Sequence, residues 1–229
     1  METDITLKEK FLLLCYHPEK GRMLNTASFA SYGIAGAIML ELAELGKFNL
    51  EADRVVLSNT KRTGDEVLDL VVKRIAKSKR HRKVKNWISG IAQSGLMRKI
   101  KSLLRESLIR RKVFTLKEKA VLGIFKYKRY PARNGKVRRQ IITEIHTVVI
   151  GRKIGSKDIM LLTALVGATK MTTSFFIREE RRTARKRVKE IMKNNEIAKV
   201  LDSTVTAVQA AIVTTITTTA VVSAATTSG

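Results

Sequence analysis

Three histidines, one cysteine and two pairs of acids are the residues whose types could make or break bonds, and none is spaced for it. His17, His81 and His146 stand far apart, and none has a Cys or carboxylate at metal-ligand spacing, so a zinc site is not expected. Glu41 with Glu44 and Glu179 with Glu180 are pairs of the kind that general acid–base work uses. Glu41 and Glu44 share a helix face with Lys47 close by, however, and read as solvated charges. Cys15 closes the run Phe11-Leu12-Leu13-Leu14-Cys15 and reads as a small buried apolar residue. A lone cysteine forms no internal disulfide, which suits a reducing compartment. There is no Gly-x-Ser-x-Gly elbow, no phosphate-binding loop and no dinucleotide fingerprint. The reading is that the chain is not an enzyme and takes no cofactor.

What these residues can do is hold anions. Forty-five Lys and Arg face twenty Asp and Glu, a net charge of +25. Eight basic residues and no acid occur from Lys73 to Lys85. Arg98, Lys99, Lys101, Arg105, Arg110, Arg111 and Lys112 follow with only Glu106 against them, and Lys126, Lys128, Arg129, Arg133, Lys136, Arg138 and Arg139 extend the series. A surface that is merely soluble mixes its signs. Unmixed charge between residues 73 and 139 therefore predicts one basic surface and a polyanionic partner, either a membrane or a nucleic acid. Nucleic acid is the alternative reading. Against it, the basic stretch offers few aromatics for base stacking beyond Trp87, Tyr127 and Tyr130, and no reader motif is present.

The elements that must position this charge read mainly as helices. Thr6 and Glu9 form a Thr-x-x-Glu capping box ahead of Phe11–Leu14. Ala27–Leu45 is a second helix, apolar on every side around Ile34–Leu40, ending at Gly46. Gly33 and Gly36 within it read as points of close helix approach rather than as a nucleic-acid clamp. Phe48–Glu51 and Arg54–Leu57 read as a short strand pair. Asp65 leads into a helix through Ile75, and a helical stretch opening at Trp87 continues to Ile109. Thr115 and Glu118 repeat the capping box, yet Val113-Phe114 and Val121–Phe125 flank a polar stretch in the manner of a hairpin, which is the reading adopted. Helices resume at 137–150, 157–169, 179–192 and 196–219. The uncharged C-terminal stretch is too rich in threonine for a membrane anchor and reads as a core helix with a frayed tail from Ser223. The acidic N-terminus (Glu2, Asp4) is not a secretory leader, and no run of 18 or more strongly apolar residues occurs, so a cytosolic chain is expected.

In this order the motifs resemble the Golgi phosphoprotein family, the phosphatidylinositol-4-phosphate-binding sorting adaptors and their bacterial relatives. The matches are Thr6-Leu7-Lys8-Glu9-Lys10-Phe11-Leu12-Leu13-Leu14, then Gly33-x-x-Gly36 leading to Leu40-Glu41-Leu42-Ala43 and Gly46-Lys47. Thr63-Gly64-Asp65 with Leu68-Asp69 follows, then Val84-Lys85-Asn86-Trp87-Ile88, Tyr130-Pro131 and Arg185-Lys186-Arg187-Val188-Lys189. The resemblance implies a mainly α fold: one domain over residues 5–222, a central apolar bundle ringed by amphipathic helices, and a small β-hairpin near 112–126. Residues 223–229 are left as the tail. It implies a peripheral membrane adaptor on the cytosolic face of the Golgi in a eukaryote, with membrane-enzyme cytoplasmic tails as protein partners and the hairpin as a route to oligomers. The family's headgroup pocket uses a basic pair three residues apart, matched here by Arg98 and Lys101. It also uses a Trp and an Arg, whose positions fall at Thr26 and Ala35. Lys79, Arg80, Arg82, Lys83, Arg105 and Arg129 are the expected supporting basic surface.

Overall fold

The computed structural model describes residues 4–121, 125–193 and 203–226. Helix α1 (Leu7–Leu14) begins as its capping box dictates, with the Glu9 carboxylate accepting the Thr6 N–H at 2.9 Å. Leu12, Leu13 and Leu14 are wholly buried. Helix α2 (Ala30–Glu44) runs through the centre of the molecule. Its Ile34, Ile38, Met39, Leu40 and Leu42 are each 0 % exposed, and burying each such side chain stabilises the fold by about 1.5–3 kcal/mol.

Two glycines make that central position possible. A Cβ on Gly33 would stand 2.2 Å from the Phe11 ring, and one on Gly36 would stand 3.0 Å from Ile212. Close approach is therefore their role, as expected, with α1 against the first and the C-terminal helix against the second.

Strands β1 (Phe48–Glu51) and β2 (Arg54–Leu57) pair antiparallel, Glu51 opposite Arg54. Their two-residue turn holds Ala52 and Asp53 at φ 46° and 63°, the left-handed pair that a tight hairpin turn needs. Asp65 caps α3 (Glu66–Ala76) by accepting the N–H groups of Val67 and Leu68. The helical stretch expected from Trp87 to Ile109 is two helices, α4 (Val84–Ala92) and α5 (Leu96–Arg110), broken at Gln93-Ser94-Gly95. A turn of small and polar residues there ends one apolar stripe and starts another.

The second hairpin is present but displaced. Strands β3 (Lys117–Val121) and β4 (Phe125–Arg129) pair with Lys117 opposite Arg129. The stretch read as a polar turn is thus itself the first strand. Val113 and Phe114, expected in the hairpin, are instead 6 % and 2 % exposed and belong to the core, where Phe114 lies 5.3 Å from the Tyr16 ring. Lys117 and Glu118 are exposed, so a strand that projects from the body needs no apolar face.

Helices α6 (Lys136–Val149), α7 (Lys157–Ala168) and α8 (Arg181–Lys193) follow, with a 3-10 turn at Thr172–Ser174 between the last two. Helix α9 (Ser203–Thr226) packs on α2, α4 and α7 through buried Val208, Ile212 and Ile216. It continues past Ser223, where fraying was expected, while residues 196–202 of the expected helix lie outside those described. Among the described residues no helix is long and apolar enough to cross a membrane. The protein is mainly α, as read from its sequence.

The acid read as solvated is buried. Glu41 is 8 % exposed and meets the ammonium of Lys8, itself 1 % exposed, while also accepting the Lys8 backbone N–H at 2.8 Å. Asp65 takes the other side of Lys8 at 2.8 Å, so one lysine ties α1 to both α2 and the start of α3. Burial raises the Glu41 carboxyl above the usual carboxylate range, and Lys8 opposes the shift. Glu44 does reach the surface, where it pairs with Lys157 at 2.8 Å.

Candidate anion-binding surface

Helix α5 sorts its residues by angle. Met97, Ile100, Leu104 and Leu108 form the buried stripe. Arg98, Lys101 and Arg105 fall within about 60° of one another beside that stripe at 100° per residue. Lys101 lies nearest the core, Arg105 next, and Arg98 outermost. Exposure follows the same order of angle, since Arg98 is exposed and the other two are half-buried.

Each of the inner two is held from outside its own helix. The Lys101 ammonium donates to Ser31 Oγ at 2.8 Å, at the first turn of α2. That helix end has no side-chain cap at Phe29, so its dipole presents partial positive charge beside the ammonium. Burial lowers the Lys101 pKa from its ordinary value, and Arg105 lowers it further. The Arg105 guanidinium lies 5.0 Å from the Tyr130 ring centroid, and it opposes the upward push that burial gives the Tyr16 phenol. Among the described residues neither Arg98, Lys101 nor Arg105 has a carboxylate partner. Three cations on one edge, two of them half-buried, can accept a phosphate.

The remaining expected residues divide. Thr26 is exposed, its hydroxyl 2.7 Å from Ser174 Oγ, and offers the surface no ring. Ala35 is 0 % exposed and lines no surface at all, because α2 is enclosed on every side at that level. Lys79, Arg80 and Arg82 gather around a different hollow beside Trp87. Lys83 is paired with Asp53 at 3.5 Å. Arg129, on β4, covers Tyr127 at 4.6 Å and precedes Tyr130, which joins the hairpin base to Arg105. The basic residues read from the sequence thus fall partly on α5 and partly around the hollow between α3 and α4. Arg98 and Lys101 were expected from the family resemblance and Arg105 as a supporting cation, whereas Ser31 carried no sequence signal because only packing brings it to Lys101.

The nucleophile candidate is inert. Cys15 is buried beside Met171, and burial pushes its thiol up to about 12 despite Lys101. His17 accepts the N–H groups of Glu19 and Lys20, and His146 meets Glu180 at 3.0 Å. Among the described residues no three His, Cys, Asp or Glu side chains come together as a metal site would require. A broader hollow of about 900 Å³ between the start of the chain, the turn after α5 and α6 mixes Asp4 and Glu144 with its Lys and Arg.

Fold and surface together define a mainly helical, one-core protein with an apolar central helix and an unneutralised basic edge. The sequence model of the Golgi phosphoprotein 3 (GPP34) family matches residues 7–214. The chain belongs to that family.

Proposed function

We propose that the protein is a non-catalytic peripheral membrane adaptor that docks on anionic lipid headgroups, phosphatidylinositol 4-phosphate among them, through Arg98, Lys101 and Arg105. The observation that carries this reading is the half-buried Lys101 ammonium, fixed on Ser31 and left without a carboxylate beside two further cations. A buried-side cation without a counter-charge costs stability, and a phosphate supplies the missing charge. Arg98 offers a planar fork for phosphate oxygens and Lys101 a point charge. Other basic residues that approach an anionic bilayer add about 1 kcal/mol each, so five give about 5 kcal/mol, enough for reversible docking without an anchor. Family membership supports the adaptor role, with membrane-enzyme tails as cargo and the cytosolic Golgi face as the location in a eukaryote.

The missing ring at Thr26 and the enclosed position of Ala35 leave headgroup selectivity to the α5 edge alone. The test is a liposome titration at fixed salt of two charge reversals, Arg98→Glu with Lys101→Glu and Lys79→Glu with Arg80→Glu. The two doubles change net charge equally. The first should weaken binding to vesicles carrying the monophosphorylated inositol lipid about tenfold more than the second, which corresponds to about 1.4 kcal/mol. Equal losses refute the α5 site, and equal binding of the parent to neutral vesicles refutes membrane docking altogether. Tighter binding to duplex DNA than to anionic vesicles at matched salt would favour the nucleic-acid reading instead.

A further inference from the structure

Between α3 and α4 the chain builds a hollow of about 450 Å³ whose lining holds five cations, Arg74, Lys77, Lys79, Arg80 and Arg82, with Ser78 and Trp87. No carboxylate lines it, and none of the five cations has an ion-pair partner among the described residues. Like charges so gathered repel, and a solvated surface would intersperse acids among them. The hollow is also held in shape. The Val55 N–H donates to the Arg82 carbonyl at 2.9 Å, and Arg54 Nη1 donates to the His81 carbonyl at 2.7 Å. Ser78 Oγ donates to the Arg80 carbonyl at 2.9 Å. Strand β2 and the loop's own hydroxyl therefore fix the backbone that carries the cations, which lowers the ordering cost of binding.

Trp87 completes the lining. It is 3 % exposed, the Arg82 guanidinium lies 5.4 Å from its ring centroid, and its indole N–H has no hydrogen-bond partner among the described residues. An adjoining hollow shares Arg80 and Arg82 and adds Arg54 and Asn86.

We propose that this hollow is a second, discrete binding site for an anion bearing at least two phosphate groups. One phosphate monoester carries about −1.5 to −2 at neutral pH, so a single group leaves the five cations mostly un-neutralised, whereas two offset about three to four of the five charges. The site is independent of the α5 surface. Arg82 precedes α4 and Arg98 follows it, and a helix of that length spans about 13 Å. The shared chemistry, clustered phosphate, is available from a free polyphosphate or from a multiply phosphorylated lipid headgroup.

Trp87 is the only tryptophan of the chain, so its fluorescence and its one indole resonance arise from the lining of this hollow. Inorganic pyrophosphate and inositol trisphosphate, titrated at constant ionic strength, should each give a saturable change. The double variant Lys77→Gln with Arg80→Gln leaves the ring and its Arg82 cover in place and should weaken that binding at least tenfold. Arg98→Gln with Lys101→Gln should leave it unchanged while impairing vesicle docking, which separates failure of this site from failure of the α5 site. Vesicles carrying a bisphosphorylated inositol lipid form the second arm: the same saturable change assigns the anion to a membrane, and a change with the soluble probes alone assigns it to a free polyphosphate. A response no greater than that to matched chloride overturns the proposal, as does one lost equally in the α5 double variant.

Discussion

Replacing Lys101 by methionine separates a residue kept for binding from one kept for folding. In the folded protein its ammonium is half-buried, receives no carboxylate, and holds only the Ser31 hydroxyl at 2.8 Å. Burial already disfavours its charge, as the lowered pKa records. Methionine matches its stem in volume and removes that desolvation, so stability should hold or rise. Docking should fall. A hydrogen bond to a charged group contributes about 1.5–3 kcal/mol, so vesicle affinity should drop at least about tenfold. Lys99→Met removes the same charge from an exposed position, where the loss is about 1 kcal/mol or less, roughly fivefold at most.

The measurements are thermal melts and liposome cosedimentation at fixed salt, since separated surface charges are screened over about 8 Å at physiological ionic strength. The pH dependence has a definite sign. A lysine whose pKa is lowered loses its proton at lower pH than an ordinary lysine, so docking should decline as pH rises through that depressed value. Lys101→Arg, which keeps its charge, should move the decline upward. A Lys101→Met variant that is less stable than the parent, or a Lys99→Met variant that docks as weakly, refutes a binding role for Lys101.

Other outcomes follow from the core. Glu41→Gln leaves Lys8 charged and buried with only Asp65 beside it and should cost about 3–5 kcal/mol by chemical denaturation. The double variant Lys8→Met with Glu41→Met should recover most of that loss, and an unchanged midpoint for the single variant would show that the pair is not buried. Ile212→Asp places an unpaired charge against Gly36 and should cost several kcal/mol, whereas a parental melt would mean that α9 does not pack on α2. Gly33→Ala drives a methyl into the Phe11 ring and should cost about 1–3 kcal/mol, relieved by Phe11→Leu; additive losses in a double-mutant cycle would show that the two positions do not touch.

Features encoded within one or two helical turns could be read along the chain. The Thr6–Glu9 cap, the Asp65 cap and the all-round apolar run of α2 lie within a few residues of the contacts they make. The two glycines announced close packing, and the charge imbalance announced basic surface. The hairpin was legible as a hairpin, but not its register, because Val113 and Phe114 had equal claim to strand and core until Tyr16 and Tyr130 were there to receive them. Nor does spacing tell a buried charge from a solvated one: Glu41 was grouped with Glu44 on one face, and only the arrival of Lys8 from α1 made burial affordable. The basic residues posed the same difficulty on a larger scale. Their number is a property of composition, while their division into an α5 edge and a hollow around Trp87 depends on the break at Gln93–Gly95 and on β2 holding the loop after α3. Local hydrogen bonds and periodicity act within an element and can be read along the chain. Which cation keeps a counter-charge and which is left without one is decided between elements, because electrostatic pairing follows distance in space and not separation in sequence.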